Sequence, residues 1–329
     1  YATLDVGGYN YQWAEYKPDH QRLPERIMMG TESFPLEAFE NWMSVCEHPY
    51  VIGDFVWTSL DYLGESGIGR VHFEGENAPF LGGYPWHQAN CGDLDLCGFK
   101  RPQSYYRDVL WQEDPRLYMA VHTPIPADKT ATISRWGWPD VWPDWNWPGK
   151  EGQNFIVDIY ANCDQVELFL NNQSLGKKPC TRESKFTASF EVAYQPGELR
   201  SVGYRQGQLA VETAIQTTGT PARVRLTPDR EIIQAGSDLC YVVVEVLDAQ
   251  GRLDPKADQP VYFSLKGPGK ILAVGSSNPV SKEAYVGNQR RVHRGRALVV
   301  VKSSHEPGEI TLHAQADGLD WTEISIKSI

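Results

Sequence analysis

The sequence predicts an α/β segment over residues 1–115 followed by two all-β domains, over residues 116–219 and 220–329. Three observations carry this reading. Residues 1–115 mix short apolar runs with apolar residues spaced by three and four. From about Asp114 onward only the two-residue alternation of strands persists. Thr217-Thr-Gly-Thr-Pro221 is a small-residue linker that divides the β-rich part.

The elements follow in order. Thr3 to Tyr11 is the first extended run, and the polar segment after it has room for a helix. Arg26-Ile-Met-Met-Gly30 and Tyr50-Val-Ile-Gly-Asp-Phe-Val-Trp57 read as buried parallel strands. Between them, Pro35 suits a first helical turn, and Leu36, Phe39, Trp42, Met43 and Cys46 recur at helical spacing until His48-Pro49 stops it. Pro102 to Trp111 is the next helix. Strand, helix, strand, helix, strand implies a parallel sheet.

In the β-rich part, Phe155–Tyr160 and Val166–Leu170 alternate, and Asn171-Asn172 marks a tight hairpin turn. Phe186, Phe190, Val192 and Leu199–Tyr204 continue the series. After the linker come strands at Val224–Leu226, Tyr241–Leu247, Val261–Leu265, Ala297–Val301 and Ile310–Ala314, spaced as in β-sandwiches.

Composition narrows the partners. Lys and Arg number 31 against 42 Asp and Glu, a net charge of −11, which disfavours nucleic acid and anionic lipid surfaces. No stretch approaches the ~18 apolar residues of a membrane span. The six Cys contain no CxxC pair, so zinc and thiol chemistry are not expected. The chain opens at Tyr1 without initiator Met or signal sequence, which predicts a fragment of a longer protein. Trp, Tyr and Phe make up 12% of residues, and Trp136, Trp138, Trp142, Trp145 and Trp147 fall together. Aromatic rings stack on pyranose faces, so a neutral glycan is favoured as ligand, although core packing explains the same residues.

Glu32 is the leading candidate for chemistry, because functional groups gather at the carboxyl ends of strands in parallel α/β folds. Position alone leaves open that it is merely a helix N-terminal acid favoured by the macrodipole. Trp57 ends the next strand beside Asp61 and Glu65. It suits a sugar-stacking platform or a packed rim; the two acids suit hydroxyl binding or a solvated loop. Tyr9, Asn10 and Tyr11 end the first strand, where a phenol could hydrogen-bond a nucleophile. Trp145 and Trp147 suit either an aromatic wall or a domain seam, and Trp86 a loop core or a wall. Asp93 and Asp95, and the single histidines His72 and His87, suggest neither a metal site nor a catalytic pair.

Four blocks then occur in order: Gly8-Tyr-Asn-Tyr11, Arg26 to Pro35, His48 to Glu65, and Lys100-Arg-Pro-Gln-Ser-Tyr-Tyr-Arg107. Together they resemble the end of the catalytic barrel of family 2 glycoside hydrolases, and are most similar to its bacterial β-galactosidases. Trp145 to Gly152 and Val166 to Gly176 resemble the accessory sandwich after that barrel, and residues 220–329 a further immunoglobulin-like module.

The resemblance implies strands six to eight of a (β/α)8 TIM barrel followed by two immunoglobulin-like β-sandwiches. It implies a retaining β-glycosidase with Glu32 as nucleophile, Tyr11 orienting it, and Trp57, Asn10, Asp61 and Trp86 around the sugar. The partner carboxylate, about 5 to 5.5 Å away in such enzymes, acts as acid/base. The family carries it on an Asn-Glu pair, and no Asn here precedes a Glu. The chain alone is therefore expected to be inactive, and to need the N-terminal remainder of its parent chain. A β-galactoside is preferred over a β-glucuronide because no Asn-x-Lys occurs, although Arg70 or Lys100 could bind a uronate. A non-catalytic glycan-binding or adhesion module is the alternative, with the sandwiches as binders or spacers. No cofactor is expected; Na⁺ or Mg²⁺ in the complete enzyme is left open. The resemblance implies export to the periplasm or beyond.

Overall fold

The computed structural model describes residues 3–76 and 81–329. By compactness the chain divides into two units, Tyr1–Gln216 and Thr217–Ile329. The first unit opens with strands β1 (Val6–Asn10), β2 (Ile27–Ser33) and β3 (Val51–Val56), a parallel sheet in that order. Helices α1 (Tyr16–Arg22) and α2 (Ala38–Glu47) make the two crossovers. Pro35 opens a 3-10 turn ahead of α2, where its missing N–H costs nothing. Tyr9, Tyr16, Met28 and Val51 form the buried layer between sheet and helices.

A third helix, α3 (Pro102–Trp111), follows a long irregular segment. The sequence shows no helix or strand pattern there, because polar side chains rather than apolar periodicity organise the segment. Arg107 pairs with Asp93 at 2.8 Å, and Gln103 Nε2 donates to the Gly92 carbonyl at 2.6 Å. A Cβ on Gly92 would stand 2.3 Å from the Asp61 amide nitrogen, so the loop closes there only with glycine. Short strands β4 (Val71–Phe73) and, beyond α3, β6 (Ala131–Ile133) pair at its margin.

The remainder of the first unit is a sandwich. One sheet contains β5 (Leu117–His122), β7 (Val141–Trp142), β8 (Asn154–Ala161) and β11 (Thr187–Ala193); the other contains β9 (Gln165–Leu170), β10 (Gln173–Pro179), β12 (Glu198–Arg205) and β13 (Gln208–Gln216). Both sheets contribute to one core, including Met119, Val157, Ile159, Leu168 and Leu199. Asn171 and Asn172 have φ of 49° and 67°, the left-handed pair a two-residue hairpin requires. Strand β10 is exposed on every residue, so it has no apolar alternation to read.

Trp145 corrects both expectations for it. It is 1% exposed inside this core, edge-on to Phe155 and Tyr194, with Nε1–H donating to the Gln195 carbonyl at 3.0 Å. Trp147 packs on the same core. A buried indole needs one acceptor, and a carbonyl at the sandwich end supplies it.

The second unit is also a sandwich. Strands β14 (Pro221–Pro228), β16 (Leu239–Asp248), β18 (Gly269–Gly275) and β20 (Arg296–Ser303) face β15 (Ile232–Ile233), β17 (Pro260–Lys266), β19 (Gln289–Arg291), β21 (Gly308–Gln315) and β22 (Thr322–Ser328). Val242, Val244, Val299 and Leu312 are among its fully buried residues. Asp248 anchors the turn after β16. Its carboxylate accepts from the amides of Gly219, Gln250 and Arg252 and from Arg252 Nε.

Candidate active site

Glu32 owes its direction to an irregularity in β2. Strand β1 pairs with β2 residue for residue up to Tyr9 and Gly30, and then Asn10 pairs with Glu32, leaving Thr31 over. Partners on parallel strands point to the same face, and successive residues alternate. Tyr9 and Met28 lie in the helix-facing layer, as does Gly30, where an added Cβ would meet Tyr16 Oη at 2.8 Å. Strict alternation would put Glu32 in that layer too. The extra residue turns it to the opposite face, beside Asn10, in the way bulges re-aim side chains. Ser33 then returns to the buried side and donates to Asp54 Oδ2 at 2.7 Å.

Tyr11 closes over Glu32. Its amide donates to the Glu32 carbonyl at 2.8 Å, and its phenol lies within electrostatic reach of the Glu32 carboxylate. Its φ of 57° is left-handed, at a cost of order 1 kcal/mol outside glycine. Aromatic contacts hold that conformation. The Tyr11 ring stacks on Phe34 at 4.0 Å and meets Trp136 edge-on at 5.7 Å. The Trp136 indole N–H donates to Tyr11 Oη at 3.0 Å. Burial pushes the Tyr11 phenol well above its ordinary range, and the neighbouring Glu32 carboxylate pushes the same way against the indole. The phenol therefore stays a proton donor at neutral pH.

Trp57 leaves β3 with its amide donating to the Ser33 carbonyl at 3.1 Å. It packs with Tyr62 and Trp136 on Ile68, Ala89 and Cys91, a half-buried aromatic group next to Glu32's strand. Burial raises the Cys91 thiol to about 12, so Cys91 packs as an inert apolar group.

Two expected ligands sit elsewhere. Asp61 is 1% exposed; Oδ1 accepts from the Gly92 amide at 2.7 Å and Oδ2 from Arg101 at 3.0 Å, so both oxygens already have donors. It braces the long loop where substrate hydroxyls were expected, because the chain turns under itself directly after Trp57. Burial raises its carboxyl to about 6 in spite of Arg101. Trp86 packs on its own loop, against Gly82 and with the Arg70 guanidinium 5.9 Å from the ring centroid. Asn10 is exposed and accepts from Thr31 Oγ1 at 3.2 Å.

Glu32, Tyr11, Asn10 and Trp57 are thus brought together on one sheet, and Asp61 and Trp86 are not. Trp136 is the contributor that sequence reasoning missed; its only signal was membership of the Trp cluster. Arg70 pairs with Glu76 at 2.6 Å, and Lys100 with Asp108. Asp95 binds the amides of Cys97 and Phe99. Among the described residues no three His, Cys, Asp or Glu side chains gather as a metal site, and no helix is long and apolar enough to cross a membrane.

Residues 224–325 match the model of glycoside hydrolase family 2 C-terminal domain 5, and residues 152–211 that of a domain of unknown function. A glycosyl hydrolase family 2 member from Bacteroides cellulosilyticus superposes over 100% of this chain with TM-score 0.93 and 41% identity. The chain belongs to glycoside hydrolase family 2. It spans 42% of that family 2 structure. The β-galactosidase BoGH2A of Bacteroides ovatus is 33% identical over 291 residues, 88% of this chain and 30% of its own length. A β-glucuronidase of Formosa agariphila is 23% identical over 354 residues, covering 100% of this chain and 33% of its own. The family 2 chain thus spans about a third of the length of these two curated relatives.

Proposed function

We propose that the chain is the C-terminal part of a retaining β-glycosidase of family 2 that hydrolyses terminal β-galactosides. In this reading β1, β2 and β3 are strands six to eight of a (β/α)8 barrel covering residues 1–115, and two immunoglobulin-like sandwiches follow. The exposed apolar side chains Ile27 on β2 and Ile52 and Phe55 on β3 suit a sheet completed by further polypeptide.

The observation that carries the reading is Glu32 on the open face at the carboxyl end of β2, under the phenol of Tyr11. The Glu32 carboxylate attacks the anomeric carbon, the C1–O bond to the aglycone breaks, and a glycosyl ester forms. The leaving oxygen takes its proton from a second carboxyl outside this chain, which then deprotonates the water that cleaves the ester. Tyr11 donates to the nucleophile and keeps its attacking oxygen oriented. Trp57 presents an apolar ring to the sugar. Arg70 and Lys100 are already engaged by carboxylates, which favours a neutral galactoside over a uronate. Residues 1–329 alone are expected to be inactive, and export to the periplasm or beyond fits glycan degradation.

The test uses the full-length polypeptide and a 2-deoxy-2-fluoro-β-galactosyl fluoride, which traps the ester. Mass spectrometry should place the label on Glu32, and Glu32→Gln should lower kcat on an aryl β-galactoside by at least about 10³-fold. Label on another carboxylate, or unchanged turnover in Glu32→Gln, overturns the assignment. Faster aryl β-glucuronide turnover overturns the choice of sugar.

A further inference from the structure

We propose that Trp136 is a positioning residue of this site: its indole N–H, donated to Tyr11 Oη, aims the phenol proton at the Glu32 carboxylate. The inference rests on the reading of Glu32 as nucleophile. A phenol oxygen donates once and also accepts, and its proton rotates to suit its neighbours, whereas an indole nitrogen only donates. With the 3.0 Å bond from Trp136 Nε1 filling the accepting side, the Tyr11 proton is left to Glu32. An accepted bond also polarises the phenol and strengthens the bond it gives.

The surroundings fix Trp136 as firmly as Tyr11. Phe34 lies 4.8 Å from the indole, edge-on, and also stacks on Tyr11, so the three rings touch pairwise. The neighbouring Arg135 covers Phe34 at 4.0 Å and bonds Glu37 Oε1 at 2.6 Å. Glu37 Oε2 in turn accepts from Trp13 Nε1 at 2.9 Å. A clamp therefore runs from the turn before α1, through the start of α2, to residues 135 and 136. Trp136 stands 125 positions beyond Tyr11, past α3 and in the β-rich part of the first unit. The region read as an accessory domain thereby supplies a side chain to the nucleophile's own hydrogen-bond chain.

Kinetics of the full-length protein on an aryl β-galactoside test this. Trp136→Phe keeps a ring and removes the donor. It should lower kcat about tenfold with KM within about twofold, the size of one lost transition-state hydrogen bond. In a Tyr11→Phe background the same change should have no further effect. Benzothienylalanine at 136 keeps the bicyclic shape without an N–H and should match Trp136→Phe, a result available even if the phenylalanine variant fails to fold. Wild-type kcat in the benzothienylalanine protein, an equal loss with or without the Tyr11 hydroxyl, or a rise confined to KM would each overturn the proposal. The last outcome would make Trp136 a sugar wall. Glu32→Gln run alongside separates the two readings: if it is inactive while the benzothienylalanine protein is normal, only the role of Trp136 falls.

Discussion

Asn10 and Glu32 are neighbours across two parallel strands because Thr31, between Gly30 and Glu32, has no partner on β1. Were β2 to alternate through Thr31 without that irregularity, the Glu32 carboxylate would be buried against Tyr16 and Met28 instead of facing the open side.

Deleting Thr31 should therefore let Asn10 and Glu32 pair directly after Tyr9 and Gly30, with Glu32 still on the face opposite Gly30 and Ser33 still on the buried side. Turnover in the full-length protein should fall far less than the roughly 10³-fold expected for Glu32→Gln. A loss as large as that of Glu32→Gln would show that Thr31 itself, and not strand register alone, holds the direction of Glu32.

Trp145→Ala should destabilise the first sandwich by about 3–5 kcal/mol, the range for emptying a large aromatic from a packed core. The folded fraction should keep its kcat and KM on an aryl β-galactoside. A selective rise in KM without loss of stability would return Trp145 to the sugar wall.

Asp61 carries a pH signature. Its folded value, about 6, lies above the ordinary aspartate value of 3.8, so the folded state holds the proton more tightly. The contribution to stability is complete below the ordinary value and is lost as pH rises through 6. That difference corresponds to at most about 3 kcal/mol. Hydrogen exchange of the Gly92 amide, corrected for its intrinsic rate, reports the local opening energy. That energy should fall from pH 4 to pH 7 in wild type relative to Asp61→Asn; parallel profiles would refute the shift.

Asp248 has the opposite sign. Burial alone would raise its carboxyl, but the Gly219 and Arg252 amides and the Arg252 guanidinium hold it down to about 2. Its contribution is present above the ordinary carboxylate range and disappears as pH falls toward 2. Asp248→Ala should cost the second unit about 2 kcal/mol near neutral pH by leaving those donors unpaired, and progressively less in acid. A pH-independent penalty in urea unfolding followed within that unit would contradict this.

Much of the architecture was readable because the relevant forces are local. Pro35 and the spacing from Leu36 to Cys46 announce α2, and Asn171-Asn172 announces its hairpin, since dihedral preference and period act within a few residues. Strand β10 was invisible because an edge strand exposed on both faces needs no apolar pattern. Asp61 misled for a related reason: an acid beside a rim tryptophan looks the same whether it faces a ligand or Arg101, forty positions away. The direction of Glu32 depends on register with another strand, and the place of Trp136 on a contact across more than a hundred residues. Neither is written in the neighbouring sequence.

The bond from Trp136 to Tyr11 bears on how such enzymes diversify. On the proposed role of Glu32, a β-rich module that bonds Tyr11 is no inert appendage. Chimeras joined after α3 would then place a foreign indole, or none, beside that phenol, and junctions downstream of residue 136 should be tolerated better.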